Sequence, residues 1–130
     1  MLLEEILGLV DTDIKQDGLD VLDITGSWSN ELGSTMKIQW TEEPHEFTGK
    51  YHSTKGTDGK PHDGKILGYK YGNLIVFMVR WDSAAITAWV GQVPKRSINE
   101  EQKITTLWMM TSHSQGWTPI NAGADTFTKV

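Results

Sequence analysis

The chain has 130 residues, a length that suits one domain built around a single hydrophobic core. Hydrophobic residues make up 38% and charged residues 22%, which is the balance of a folded globular protein rather than a disordered one. The net charge of −5 argues against a nucleic-acid-binding surface, and the lack of cysteine excludes disulfides and thiolate zinc sites. No apolar run is long enough to span a bilayer.

The first 22 residues are predicted to form an extension to a domain that spans residues 23–130. Apolar residues recur in this extension at helical spacing, at Leu2, Leu3, Ile6, Leu7 and Val10. A short helix is therefore expected, lying on the body of the protein or, alternatively, covering a pocket mouth or bridging subunits. The opening is acidic rather than basic, so no secretory signal is expected in this chain and the compartment stays open.

From Val21 onward the residue types are those of β-strands separated by turns. Eight short strands are predicted, over Ile24–Asn30, Met36–Trp40, Phe47–Ser53, Ile66–Tyr71, Leu74–Trp81, Ala84–Gln92, Lys103–Thr111 and Trp117–Val130. No helical pattern separates them, which favours an all-β antiparallel meander. A meander of eight strands commonly closes into an up-and-down barrel, which removes exposed edges and can hold one small ligand.

The alternation of faces along each strand predicts which side chains share the inside of this barrel. Trp81, Trp89 and Trp108 fall on one face of successive strands, which suggests the walls of an aromatic pocket. Polar side chains share that face, namely Asn30, Tyr51, Ser53, Thr87 and Asp125. The opposite face is also apolar in places, so subunits are expected to pack wall to wall at Val76, Met78, Leu107 and Met109.

Several segments resemble a known family in their order and spacing. They are Gly26–Ser34, Phe47–Ser53, Thr87–Gln92, Thr106–Ser112 and Asp125–Val130. Together they resemble the avidin and streptavidin family of biotin-binding proteins, and the resemblance runs from about Ile24 to the C-terminus. It implies an eight-stranded barrel without enzymatic activity that binds biotin with high affinity at one end. It also allows a secreted protein that sequesters the vitamin.

The resemblance implies how the urea of biotin is held. Asn30, Ser34 and Tyr51 match the three donors to the urea oxygen, an arrangement that stabilises a polarised carbonyl as an oxyanion hole does. Ser53 and Asp125 match the acceptors for the two urea N–H groups. A charged Asp125 would pull electrons toward the urea oxygen, so that these contacts reinforce one another.

The resemblance also implies the apolar contacts and the assembly. Thr87 matches the residue that contacts the thioether sulfur. The walls around the bicycle and its valeryl chain correspond to Trp81, Trp89 and Trp108. Trp117 matches the tryptophan that family members lend to a neighbouring subunit, which favours a homotetramer. No metal or other cofactor is implied.

The end of the pocket that would hold the biotin carboxylate departs from the family pattern. Ala85 stands where the family often has a serine, and Thr57 stands where streptavidin has an asparagine. Ser83 or the loop over residues 54–57 is a possible replacement, whereas Asp82 could repel the carboxylate. The hypothesis is that recognition of the urea is intact and recognition of the tail is weakened, by roughly 0.5–1.5 kcal/mol for one lost hydrogen bond.

Two other functions stay open at this stage. The first is an avidin-like barrel that has weakened or lost biotin binding and serves assembly or another small ligand. The second is a hydrolase, for which no Gly-x-Ser-x-Gly motif occurs and for which His62 and His113 fall in predicted loops without an evident partner. The four histidines show no metal spacing. Trp28 is expected in the floor of the barrel, and Trp40 at the surface or in packing.

Overall fold

The chain folds into a closed β-barrel of eight antiparallel strands in a computed structural model. The structure describes residues 2–10, 23–54, 60–94, 101–113, 116 and 120–130. One short helix precedes the barrel, α1 over Leu3–Leu7. The strands are β1 Gly26–Ser29, β2 Thr35–Trp40, β3 Glu46–Ser53, β4 His62–Tyr71, β5 Leu74–Trp81, β6 Ala85–Gln92, β7 Lys103–Ser112 and β8 Asn121–Lys129.

Each strand pairs with the next along the chain, and β8 returns to pair with β1. This closing ladder is short, with Trp28 opposite Lys129 and Ser29 opposite Thr128. The up-and-down barrel predicted from the sequence is therefore confirmed, and closure gives every strand a hydrogen-bonded neighbour on both sides.

The predicted strand bounds agree with the structure to within two residues, except at the starts of β4 and β8. Strand β8 was predicted from Trp117 but begins at Asn121; Ile120 lies outside the strand, and residues 117–119 lie outside the described ranges. The difference at β4 lies within the described ranges. This strand begins at His62 rather than at Ile66, so it is four residues longer at its start. The added residues are polar or glycine and alternate between half-buried and exposed, and they pair with β3 from Lys50 to Ser53. A run with so few apolar residues carries no strand signal, so cross-strand pairing rather than residue type decides its conformation.

The turn between β4 and β5 requires glycine. Tyr71 lies opposite Leu74, which leaves Gly72 and Asn73 as a two-residue loop. Gly72 has a φ of 60°, a conformation that L side chains rarely adopt. Glycine at the first central position is typical of the tight hairpin turns whose twist matches that of the strands.

Large apolar side chains fill the interior of the barrel. Trp28, Phe47, Phe77 and Phe127 are fully buried there. The indole Nε1 of Trp28 donates a 2.9 Å hydrogen bond to the carbonyl oxygen of Ile24, so its polar atom is satisfied. Trp28 is thus a core residue, as expected.

Two peripheral expectations concern Trp40 and the N-terminal helix. Trp40 is partly exposed and packs edge-to-face on Phe47, with ring centroids 6.2 Å apart. The helix α1 forms where the apolar spacing predicted it, and none of its residues is buried. In the described ranges no helix combines the length and apolar character needed to cross a membrane.

Candidate functional site

The polar residues singled out from the sequence gather at the end of the barrel where odd-numbered strands end and even-numbered strands begin. Asn30 directly follows β1, Ser34 directly precedes β2, and Tyr51 lies near the end of β3. Their positions follow from the topology, because the antiparallel meander brings these strand ends to one side of the barrel. Ser34 and Tyr51 are both buried.

The Tyr51 hydroxyl is the meeting point of this group. The Asn30 Nδ2 donates to it at 3.4 Å, and the Ser34 hydroxyl is also hydrogen bonded to it. The Asn30 amide is held in place because its Oδ1 accepts the backbone N–H groups of Leu32 at 3.1 Å and Ser34 at 3.0 Å. Three side chains able to donate hydrogen bonds therefore converge on one point.

The Tyr51 hydroxyl is kept in its neutral, donating form. Burial raises the pKa of Tyr51, and the negative charges of Asp125 and Glu31 raise it further, while the hydrogen bond with Ser34 opposes the shift. An ionised phenol would only accept hydrogen bonds, whereas a neutral one can donate to a ligand oxygen.

Asp125 lies in β8, across from this cluster. The Trp89 Nε1 donates a 2.8 Å hydrogen bond to the Asp125 Oδ2, and the Asn30 side chain also hydrogen bonds to the carboxylate. Burial raises the pKa of Asp125, the hydrogen bond from Trp89 opposes this shift, and the charge of Glu31 adds to it. A carboxylate offers roughly four lone-pair sites, so Asp125 retains capacity to accept a ligand N–H.

The aromatic walls form as the strand pattern predicted. Trp89 stacks on Phe77 with ring centroids 4.9 Å apart, and on Tyr51 with centroids 5.2 Å apart. Trp81 meets Tyr51 edge-to-face, with centroids 5.3 Å apart. The ring of Trp89 is buried, while Trp81 is only half-buried and packs against the core. These rings make a rigid apolar surface beside the polar cluster.

Thr87 and Ser53 each have a hydroxyl suited to a ligand. Thr87 accepts a 2.9 Å hydrogen bond from the Trp81 Nε1, so its own O–H is oriented away from that indole and can donate elsewhere. Ser53 ends β3 and is half-buried. Its hydroxyl makes no hydrogen bond to the ranges of the chain that the structure describes.

Trp108 occupies space that a glycine leaves open. It lies directly opposite Trp89 on β6 and opposite Gly123 on β8. A Cβ atom at Gly123 would lie 2.5 Å from the Trp108 Cζ2, well inside van der Waals contact. Gly123 is therefore needed for the observed position of this wall.

Two supporting residues were missed by the sequence analysis. The Glu31 Oε1 accepts the backbone N–H of Thr126 at 2.5 Å, which joins the loop after β1 to the residue that follows Asp125. The Thr106 hydroxyl donates a 2.9 Å hydrogen bond to the carbonyl oxygen of Asp125. The alternation of β7 places Thr106 inside the barrel, but nothing local to Glu31 signals a contact 95 residues away.

The rim of the barrel contains two histidine–aspartate pairs, and one of them corrects the expectation that His62 lies in a loop without a partner. His62 is the first residue of β4, and its Nδ1 lies 3.4 Å from the Asp82 Oδ1. His52 lies in β3, with its Nδ1 2.5 Å from the Asp63 Oδ1. Within the described ranges no group of side chains has the composition of a metal site.

At the end of the site predicted to hold a carboxylate, Ala85 is half-buried, and Asp82 and Ser83 are exposed. The Asp82 Oδ2 accepts the backbone N–H of Asp63 at 3.3 Å, and this hydrogen bond is the first cause that holds the pKa of Asp82 below its usual value. Asp82 therefore stays charged at this rim. The predictions for Thr57 and Trp117 fall on residues outside the described ranges.

Comparison with known proteins agrees with this geometry. The model of the avidin family matches residues 19–130. Afifavidin from Afifella pfennigii is 30% identical over 115 residues, which cover 82% of this chain and 69% of that protein. The crystal structure of xenavidin superposes with a TM-score of 0.72 at 29% identity, covering 83% of this chain and 97% of that one. The rhizavidin–biotin complex superposes with a TM-score of 0.69 at 28% identity, covering 82% and 99%. The chain belongs to the avidin family.

Proposed function

We propose that this protein binds biotin in the open end of the barrel and performs no chemistry on it. The observation that carries the proposal is the convergence of Asn30 and Ser34 on the Tyr51 hydroxyl, with Asp125 joined to the same group through Asn30. Similarity to the rhizavidin–biotin complex supports the choice of ligand.

The polar cluster suits a cyclic urea. A urea oxygen placed among Asn30, Ser34 and Tyr51 would accept up to three hydrogen bonds, which stabilises the resonance form with negative charge on oxygen. Asp125 would accept one urea N–H and Ser53 the other. Because the carboxylate favours positive charge on the urea nitrogens, donors and acceptors would strengthen one another.

The apolar part of the site suits the rest of the ligand. Trp81, Trp89 and Trp108 would enclose the bicycle and its chain, and the free O–H of Thr87 would contact the sulfur. These rings pack on one another or on the core, so little side-chain entropy would be lost on binding. Pre-organisation of this kind allows high affinity. The biotin–streptavidin complex is a known example that lies near the upper limit of non-covalent affinity.

We further propose that the protein assembles as a homotetramer in which Trp117 reaches a neighbouring subunit's pocket. The outer wall of the barrel supports self-association, because Val76, Val90 and Leu107 lie opposite one another across β5, β6 and β7. Their exposures are 41%, 62% and 68%, an apolar surface of the kind that subunits bury.

Thermal unfolding with and without biotin tests the binding proposal. The wild-type melting temperature should rise with biotin, because a ligand that binds only the folded state stabilises it. Tyr51→Phe removes one hydroxyl from the cluster and should weaken binding by about tenfold. Tyr71→Phe, at an exposed tyrosine, is the matched control and should behave as wild type. If biotin leaves the melting temperature of the wild type unchanged, the result would favour a barrel that has lost the ability to bind biotin.

A further inference from the structure

Four basic side chains form a single row across the outside of the barrel wall. Lys37 of β2 lies directly opposite Lys50 of β3, Lys50 opposite Lys65 of β4, and Lys65 opposite Arg80 of β5. All four are exposed, and their neighbours along each strand face inward. Adjacent strands lie about 4.8 Å apart, so the row spans roughly 14 Å.

The row is unusual for a chain whose net charge is −5, because four of its twelve lysine and arginine residues are aligned on one surface. Like charges directly opposite one another destabilise a sheet. No ion pair relieves this repulsion within the ranges that the structure describes. Two carboxylates, those of Asp63 and Asp82, border the same depression, and they contact His52 and His62.

A depression of about 570 Å³ lies along this row. The four basic residues line it on one side, and Thr35, His52, Asp63 and Asp82 line it toward the rim of the barrel. Its volume is in the range of small-molecule sites. Tyr51 and Trp81 also border this depression, so it adjoins the proposed biotin site. The four side chains of the row point away from the barrel interior and are not part of that site.

We propose that this cationic row binds a short linear polyanion carrying closely spaced phosphate or sulfate groups. Successive anionic groups along such a molecule would lie against successive cations, relieving the repulsion within the row. Lysine suits this role because its ammonium group has three donors on a flexible stem and tolerates varied anion geometry.

The surroundings favour a small polyanion over a macromolecule. Asp63 and Asp82 border the depression and would repel a broad anionic surface such as a bilayer. The exposed tryptophan and tyrosine side chains of the described ranges, Trp40, Tyr69 and Tyr71, lie toward the opposite ends of their strands and not beside the row. Trp81 borders the depression, but its ring is half-buried and packs against Tyr51, so it is poorly placed for base stacking.

Calorimetric titration of the full chain with tripolyphosphate at low and at physiological salt tests this proposal, with a sulfated disaccharide in a parallel arm. Binding of either probe at one per chain, weaker at high salt, is the expected result. The probe that binds more tightly identifies phosphate or sulfate as the preferred group. Tripolyphosphate or the sulfated probe should also raise the melting temperature.

Variants localise the effect. Lys50→Gln should weaken binding by about fivefold and the double variant Lys50→Gln/Lys65→Gln by about 25-fold, as expected for exposed charge pairs. Lys103→Gln removes one exposed charge from β7 and should change binding less than about twofold. Biotin titration should be the same for all of them, which verifies folding and separates this site from the proposed function.

Three results would overturn the proposal. The first is no detectable binding of either small probe at low salt. The second is equal weakening by Lys50→Gln and Lys103→Gln, which would indicate a diffuse charge effect. The third is binding only to duplex DNA or to anionic vesicles, which would assign the row to a macromolecular partner.

Discussion

Trp89 donates its indole N–H to the carboxylate of Asp125 over 2.8 Å, and this bond joins the aromatic wall of the barrel to its polar cluster. The two residues lie on β6 and β8, with β7 between them. The bond orients the carboxylate and occupies one of its oxygens, so Asp125 is held in place before any ligand arrives. High-affinity binding of biotin, as proposed above, depends on this prior orientation.

Asp125→Asn should separate binding from stability. The substitution removes the charge that would accept a urea N–H, and a lost charge-assisted hydrogen bond of about 2 kcal/mol corresponds to roughly thirtyfold weaker biotin binding. The melting temperature of the free protein at neutral pH should be unchanged or higher, because a partly buried charge is removed and the Asn oxygen can still accept from Trp89. Calorimetry and thermal unfolding of the same sample measure both effects.

Biotin affinity should fall in acid. Burial first, and then Glu31, raises the pKa of Asp125 above its ordinary value near 3.8, so the carboxylate is protonated earlier than a solvated one as the pH falls. The affinity should decrease as the pH falls through that raised pKa. Asp125→Asn should remove this dependence, and an equally steep decrease in the variant would assign it to another group.

Ionisation of Asp125 should lower the stability of the free protein, although the same ionisation favours biotin binding. A carboxyl whose pKa is higher in the folded state than in the unfolded state destabilises the fold in its charged form. The destabilisation from Asp125 begins as the pH rises past the pKa of this carboxyl in the unfolded state. It is complete above the pKa in the folded state. Relative to wild type, Asp125→Asn should therefore gain stability with rising pH across this window, as measured by urea unfolding.

Gly123→Ala should disturb the Trp108 wall. The new methyl would lie 2.5 Å from the indole Cζ2, so the ring must move, and overpacking of this kind costs about 1–3 kcal/mol. The free energy of unfolding and the affinity for biotin should both fall. Gly8→Ala is the control, because its Cβ would meet its nearest atom, the Glu5 carbonyl oxygen, at an ordinary 3.5 Å.

Free biotin and a neutral biotin amide should bind with similar affinity. Ala85 offers no hydroxyl to a carboxylate, and the charged Asp82 stands at the rim. The dissociation constants of the two ligands should therefore differ by no more than about tenfold, which is the effect of one ordinary hydrogen bond. Competition of both ligands against one fluorescent biotin measures it. A large preference for the free acid would show that other residues, such as Ser83, bind the tail.

Leu107→Glu should dissociate the proposed tetramer. Leu107 lies opposite Val90 on the exposed apolar wall, and a buried carboxylate there would have no partner among the neighbouring side chains of this wall. Light scattering should show a smaller species. Gln39→Glu, which adds a charge on β2, should leave the mass unchanged. A wild-type protein that is monomeric in dilute solution would contradict the tetramer.

Much of the fold was predictable because the strands alternate apolar and polar residues with a period of two. That pattern placed Phe77, Thr87 and Trp108 on the inside and Leu107 on the outside without knowledge of the register. The assignment of roles to Asn30, Ser34 and Asp125 came instead from the resemblance to a family, since single polar residues in turns or near a chain end carry no such signal.

Contacts that depend on register could not be predicted. The bond from Thr126 to Glu31 joins residues 95 positions apart, and the pairs of His52 with Asp63 and His62 with Asp82 cross between strands. The register of four strands must also be known before the cationic row can be recognised, which consists of Lys37, Lys50, Lys65 and Arg80. Each depends on how separate segments are brought side by side, which no local pattern specifies.

Calorimetric titration of the wild-type protein with biotin tests the central claim most directly. We expect saturable binding of one biotin per chain, measured by displacement of a weaker competitor if the direct curve is too steep to fit. The absence of both heat and displacement would contradict it, and would mean that the barrel keeps the geometry of its family without the ligand.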